Sequence, residues 1–192
     1  SVRVLPPLAI RDHMLTSTTV AESDYSAWAS GSTYALGDRV MMSTRAGTVT
    51  ISVASPAVFT WTGHGLPNGT PVTLTTSGAL PSGLAVGEVY YVIKRTDTTF
   101  QLSTDVDGAP VVTIGAQSGT HTATAQIHRN YESLVASNVG NPPPTTSGTK
   151  WLDLGPTKRW APFDYLRETG ATDTGPMVYQ ITPGERVDSI GL

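Results

Sequence analysis

An all-β fold is the expectation for this 192-residue chain. Charged residues make up only 14% of it, against about 25% in typical soluble domains. Thr, Ser and Gly take their place, and β-branched Thr suits a pleated strand better than a helix. Short apolar-alternating segments recur with turn residues between them, and no window sustains a 3.6-residue apolar period. Helices should therefore be few and short.

From the N-terminus, residues 1–24 carry a Pro6-Pro7 pair and a Thr-rich run, and read as an extended arm with one strand candidate, VLPPLAI. The stretch SAWASGSTYALGDRVM follows, in which Trp28 and Tyr34 precede a Gly37-Asp38 turn into the strand-like RVMM. Between residues 47 and 126 the texture changes to Thr, Ser, Gly and Val. Strand candidates TVTISVAS, AVFTWT, PVTLTT, VYYVIK, TTFQLST, APVVTIG and THTATAQI are separated by the turns GLPNG, ALPSGL and DVDGA. The Gly, Asn, Asp and Pro of those turns supply the backbone conformations that chain reversals need. This segment predicts a self-contained small β-sandwich or barrel.

Beyond it, IHRNYESL reads as a strand, SNVGNPPPTTSGT as a loop with a polyproline-like run, and Trp151-Leu152 as the opening of another strand. A connector with Trp160 and Phe163 leads to two further candidates, MVYQITPG and RVDSIGL. Two strands alone are marginal in water. The expectation is that these pair with another subunit or begin a further β-region.

Composition excludes several functions. A net charge of -3 and a pI near 5.7 leave no basic footprint for nucleic acid. No run of about 18 apolar residues is present to insert in a membrane. Cysteine is absent, so neither disulfides nor thiolate metal sites staple the fold; oligomerisation is a common substitute.

Skipping residues 47–126 brings two half-motifs together. The joined stretch reads W-x5-Y-x2-G-D-x-V, then Y-E-S, a Gly-Asn-Pro loop and a Trp. It resembles the small carbohydrate-binding modules of the chitin- and cellulose-binding type (family 5/12), on Trp28, Tyr34, Gly37, Asp38, Val40, Tyr131, Asn141, Pro142 and Trp151. The resemblance implies a host domain of residues 25–46 plus 127–155, split at a hairpin by the guest module 47–126. A hairpin tip tolerates insertion, and a folded insert holds its own ends together. Residues 156–192 would be the connector and the start of a further β-region.

The guest has a resemblance of its own. Residues 59–103, with T-G-H-G-L-P-N-G, A-L-P-S-G-L, Y-Y-V and T-F-Q-L-S, are similar to a β-module of tailed-phage virion proteins. HRNYESL and KWLDLGPTKRWAPFD also look like phage tail or fibre sequences. Together they imply a structural virion protein of the tail tip, baseplate or tail fibre, made in the host cytoplasm. It would be a homo-oligomer, a trimer by preference, partnered by other tail proteins. A glycan-binding module and a capsid decoration or head fibre are the alternatives.

Residue chemistry gives little for catalysis. Trp28, Tyr34, Tyr131 and Trp151 are candidates either for stacking on host-surface sugars or for a shared domain core; Gly37, Asp38, Asn141 and Pro142 define turns. Where sugar-binding relatives place aromatics past the Tyr strand, this chain has Leu134-Val135-Ala136, which favours the core. His13, His64, His121 and His128 lack metal-ligand spacing. Asp105-Val106-Asp107-Gly108 resembles a calcium loop, but Ala116 stands where a bidentate Glu is needed. His64 is expected to bond within its turn, and His121 and His128 to be surface residues. Asp153 reads as connector sequence. No enzyme, cofactor or metal site is expected.

Overall fold

The computed structural model describes residues 10–164, 170–171 and 174–182. Among them there is no α-helix, only single 3-10 turns at Asp12–Met14 and Ala161–Phe163. Eleven strands carry the rest: β1 (Leu15–Thr18), β2 (Thr33–Tyr34), β3 (Arg39–Ile51), β4 (Phe59–Thr60), β5 (Pro71–Thr76), β6 (Val89–Ile93), β7 (Thr99–Ser103), β8 (His121–Ser133), β9 (Asn138–Val139), β10 (Trp151–Pro156) and β11 (Tyr179–Ile181). The all-β expectation holds.

The chain divides into two compact units, residues 25–154 and residues 1–24 with 155–192. In the larger, the sheet order is β10-β8-β3-β4-β7-β6-β5, and β5 also pairs with β8. That pairing closes β8, β3, β4, β7, β6 and β5 into a six-stranded barrel, which leaves no open edge in the ring. Two-residue strands β2 and β9 form a small separate sheet.

The barrel fills with the inward residues of its short strands. Val72 and Leu74 of β5, Tyr90 and Val92 of β6, and Phe100 and Leu102 of β7 are buried together with Phe59, Leu66 and Ala57. Phe59 and Phe100 are register partners, and their rings stack at 5.6 Å. Such a pair contributes roughly 0.5–1.5 kcal/mol beyond its area.

β3 and β8 are longer than any segment the sequence suggested. They merge RVMM with TVTI, and THTATAQI with IHRNYESL, so positions 46/47 and 126/127 fall inside strands rather than in linkers. The two run antiparallel from Arg39↔Glu132 to Val49↔His121, with a register shift between Met42 and Thr44. There, Ser43 alone opposes Ile127 and His128, and His128 has φ +50°. This is a β-bulge, with one extra residue in β8.

Side-chain direction alternates along a strand, so the bulge decides which face each core uses. On β3 the buried residues are even-numbered before it, Val40 and Met42, and odd-numbered after it, Val49 and Ile51. On β8 the extra residue keeps the core-facing series odd, Ala123 and Ala125, then Tyr131 and Ser133, with Asn130 buried on the other face. One ribbon thus offers one face to the barrel and the opposite face to a second core. That second core is Val40, Met42, Tyr131 and Trp151, with Trp28, Tyr34 and Ile127 packed against it. Ile127, at the bulge, touches both clusters.

Two further sequence expectations change. APVVTIG is extended but joins no ladder, because its amides bond in succession to Leu102, Ala54 and Ser82. The three prolines do not continue as a polyproline run. The Pro142 carbonyl accepts from the Thr145 and Thr146 amides at 3.1 and 3.3 Å, which bends the chain into a turn.

The smaller unit pairs β1 with β11 from Leu15↔Ile181 to Thr18↔Tyr179. The Tyr179 strand, expected to lack a partner within the chain, finds it in the arm, at Leu15–Thr18 rather than at VLPPLAI. That earlier candidate lies outside the described residues except for Ile10, and RVDSIGL lies outside them altogether. Arg159 donates to the Val20 carbonyl at 2.9 Å, Thr157 to Glu22 at 2.9 Å, and the Lys158 amide to Asp24 at 2.7 Å.

Candidate functional site

The residues singled out in the sequence assemble around Trp151. Gly37, at φ +85°, turns the chain into β3, and Asp38 accepts the Ala35 amide at 2.7 Å to hold that turn. Tyr34 meets Trp151 edge-on, 5.2 Å between centroids. The Trp151 indole N–H donates to the Asn141 carbonyl at 2.8 Å, and the Asn141 side chain donates to Asn138 at 2.8 Å. Pro142 then starts the turn that seats the loop.

Burial separates the four aromatics. Trp151 is 0% exposed and Tyr131 2%, whereas Trp28 and Tyr34 are half-buried. Tyr34 further ties its hydroxyl to Ala29, accepting from the amide at 2.8 Å. A pyranose needs an accessible ring face, which Trp151 does not present. Leu134, in the place of the missing aromatic platform, is 37% exposed.

The barrel end nearest this core is shaped by the turn T-G-H-G-L. Arg45 of β3 donates to the carbonyls of Gly63, at 2.9 Å, and His64, while its guanidinium lies 5.1 Å from the Trp61 ring centroid. Burial lowers its affinity for a proton, but a guanidinium stays charged. His64 is fully buried. Its Nδ1 accepts the Leu66 amide at 3.0 Å, which puts the proton on Nε2, facing the Thr96 carbonyl at 2.8 Å. Burial pushes its pKa down, so the ring is neutral and both nitrogens are engaged in holding the turn.

His121, expected at the surface, is instead buried between Thr76 (2.8 Å) and Gln117 (3.0 Å). Asp105–Gly108 forms a turn with the Gly108 amide on the Asp105 carbonyl, and no group of three metal-ligating side chains occurs among the described residues.

Between the Gly63–Thr70 turn, the bulge of β8 and the proline loop lies a cleft of about 650 Å³. The loop is pinned there: Thr145 donates to the Gly63 carbonyl at 2.8 Å, and Gly65, at φ +64°, lies against the Pro144 backbone too closely for any β-carbon. Tyr131 reaches the cleft from the core, and Arg129 and Asp153 reach it from β8 and β10. Arg129 Nε lies 2.6 and 2.8 Å from the two Asp153 oxygens. Asp153 is therefore a strand residue in an ion pair, not connector. Sequence reasoning missed the cleft because its lining comes from five separated segments; the charges at 129 and 153, each two residues from a core aromatic and so on its face of the strand, were the available signal.

No helix among the described residues is long and apolar enough to cross a membrane. Comparison with protein-family models, with curated proteins and with solved structures finds no match for the chain.

Proposed function

We propose that this chain is a non-catalytic structural component of a tailed-phage virion, part of the tail tip, baseplate or tail fibre, where it links or presents a receptor-binding element. The observation that carries the reading is the split arrangement. The segment similar to phage β-modules supplies β4–β7 of a closed barrel that β3 and β8 complete, and β3 and β8 also contribute Val40, Met42 and Tyr131 to the core around Trp151. Its T-G-H-G-L turn is engaged in packing rather than presented to solvent, with His64 fully buried. These features suit a rigid spacer. Homo-oligomerisation, as a trimer, and contact with other tail proteins belong to the same proposal.

Gold-labelled antibody against residues 47–126, imaged on particles of a phage encoding this chain, tests it. Label at the tail tip or fibres is the expected result. Label on the head moves the protein to a decoration or head-fibre role, and unlabelled particles that lack the chain by mass spectrometry overturn the virion reading.

A second reading, recognition of host-surface glycans through aromatic stacking, draws support from the half-exposure of Trp28 and Tyr34. The informative substitution is Trp28→Ala. Trp151→Ala would empty the core, and its loss of binding would only report unfolding. Glycan-array binding that disappears in a folded Trp28→Ala variant would establish this role.

A further inference from the structure

We propose that the barrel end opposite the Trp151 core is a docking surface for a different protein, one that presents an apolar patch bordered by Lys and Arg. The inference does not rest on the virion reading, since the surface and its charge belong to the barrel whatever assembly carries it.

Three loops cover this end: residues 52–58 between β3 and β4, 77–88 between β5 and β6, and 104–120 between β7 and β8. They are bonded to one another as well as to the strands. The Thr113 amide donates to the Ala54 carbonyl and the Ala57 amide to the Val111 carbonyl, both at 3.0 Å. Ser82 and Ile114 exchange amide bonds at 3.0 Å, and Ala79 and Ser118 do so at 3.1 and 2.9 Å. Gly78, Gly83 and Gly119 lie against facing backbone too closely for any β-carbon. Leu80, Leu84 and Val111 pack on the barrel core, and Thr113 is buried. Alternation then turns Val112 and Ile114 outward, where Ile114 is 64% exposed. Val53, on the neighbouring bonded loop, is exposed too, as are Val86 and Val106. Aliphatic side chains gathered on one exposed surface mark an interaction site, and loops already held by one another lose little freedom on binding.

Charge selects the partner. The three loops contain Glu88, Asp105 and Asp107, all exposed, and not one Lys, Arg or His. Among the described residues none of these carboxylates is in an ion pair. β6 starts and β7 ends at this margin, paired Tyr91↔Ser103, so Glu88 and the Asp105–Asp107 turn share one side of the patch. Lys94 and Arg95 stand in the β6–β7 turn, at the other end of the barrel. A second copy docked here by two-fold symmetry would bring the same carboxylates and nothing to neutralise them. An anionic membrane surface would repel them in the same way. A protein with basic side chains beside an apolar centre fits both features: Val53, Val112 and Ile114 meet the centre, and the carboxylates steer and orient the approach.

The test pans the full chain against a displayed library of random linear peptides, then titrates the enriched peptides against the chain in solution. Sequences that combine aliphatic or aromatic residues with Lys or Arg should be enriched, with amide shifts centred on Val53, Val112 and Ile114. Ile114→Glu, at an exposed position where the thermal transition should be retained, should weaken binding roughly tenfold or more. Glu88→Gln with Asp105→Asn and Asp107→Asn should weaken it about three- to tenfold at low salt and flatten its dependence on salt concentration. The proposal is overturned if no peptide is enriched, if the enriched peptides carry no net positive charge, or if folded Ile114→Glu binds them as the parent does. Two rival occupants would also overturn it. A second copy would show as a concentration-dependent dimer in sedimentation that Ile114→Glu dissociates. A membrane would show as flotation with phosphatidylserine vesicles that the same variant loses.

Discussion

Gly47 faces the indole of Trp61 so closely that a β-carbon at position 47 would overlap the ring. Gly47 is mid-strand in β3, opposite Ala123, on the face that lines the barrel. A glycine there weakens the strand by its backbone entropy, and the space it yields is what allows the largest side chain of the barrel to lie inside.

Gly47→Ala should therefore destabilise the protein by about 1–3 kcal/mol, the usual cost of forcing extra atoms into a filled core. Trp61→Leu should also destabilise, through lost burial. The double variant should be more stable than the sum of the two effects predicts, because the smaller side chain makes room for the methyl. Urea denaturation of all four forms measures the coupling, and strict additivity would show that the two positions do not compete.

Trp151 and Trp28 should behave differently. Trp151→Ala removes a fully buried indole and is expected to cost about 3–5 kcal/mol, enough to unfold a protein of ordinary stability. Trp151→Phe keeps a ring against Tyr34 but strands the Asn141 carbonyl, for about 1–3 kcal/mol. Trp28→Ala, at a half-buried position, should cost less than either. Thermal scans of the three variants check the order.

Acid should destabilise the native state through His64. Its folded pKa lies below the ordinary 6.5 because burial disfavours the imidazolium. Between the folded value and about 6.5 the unfolded chain binds the proton and the native one does not, so stability falls as pH drops through that window and is fully present above it. His64→Gln should be less stable at neutral pH and should lose less stability than the parent between pH 7 and 5. The difference between the two stability–pH curves is the readout, and parallel curves would remove His64 as the cause.

Gly65→Ala should detach the proline loop. The position needs φ +64° and has Pro144 backbone against it, so any β-carbon adds left-handed strain, roughly 1–3 kcal/mol, to a direct overlap. Amide hydrogen exchange should accelerate at Thr145 and Thr146, whose bonds to Pro142 hold the turn, while Val72 and Leu74 in the barrel core keep their protection. Uniform loss of protection would mean that the loop and barrel open together.

The short strands were readable because one face of each is buried and the alternation is local, as in Val72 and Leu74 of β5. The long strands were not. The buried face of β3 changes from even to odd residues between Met42 and Val49, and the intervening inward positions are Arg45 and Gly47, neither of which looks like core. Only the partner strand makes sense of them: the bulge at Ile127–His128 restores the facing, and that is tertiary information. The aromatic set around Trp151 was visible through the resemblance to carbohydrate-binding modules, although which rings keep an exposed face depends on packing. Arg129 and Asp153 are 24 residues apart, and nothing short-range in the sequence joins them.

The ribbon of β3 and β8 also has a mechanical meaning. Because both strands pass unbroken from the Trp151 core into the barrel, there is no tether on which the barrel could swing. A load applied along the ribbon is taken in shear by the whole ladder at once, from Arg39↔Glu132 to Val49↔His121, rather than rung by rung. The barrel is held like a beam fixed at one wall, and the wall is the buried indole of Trp151.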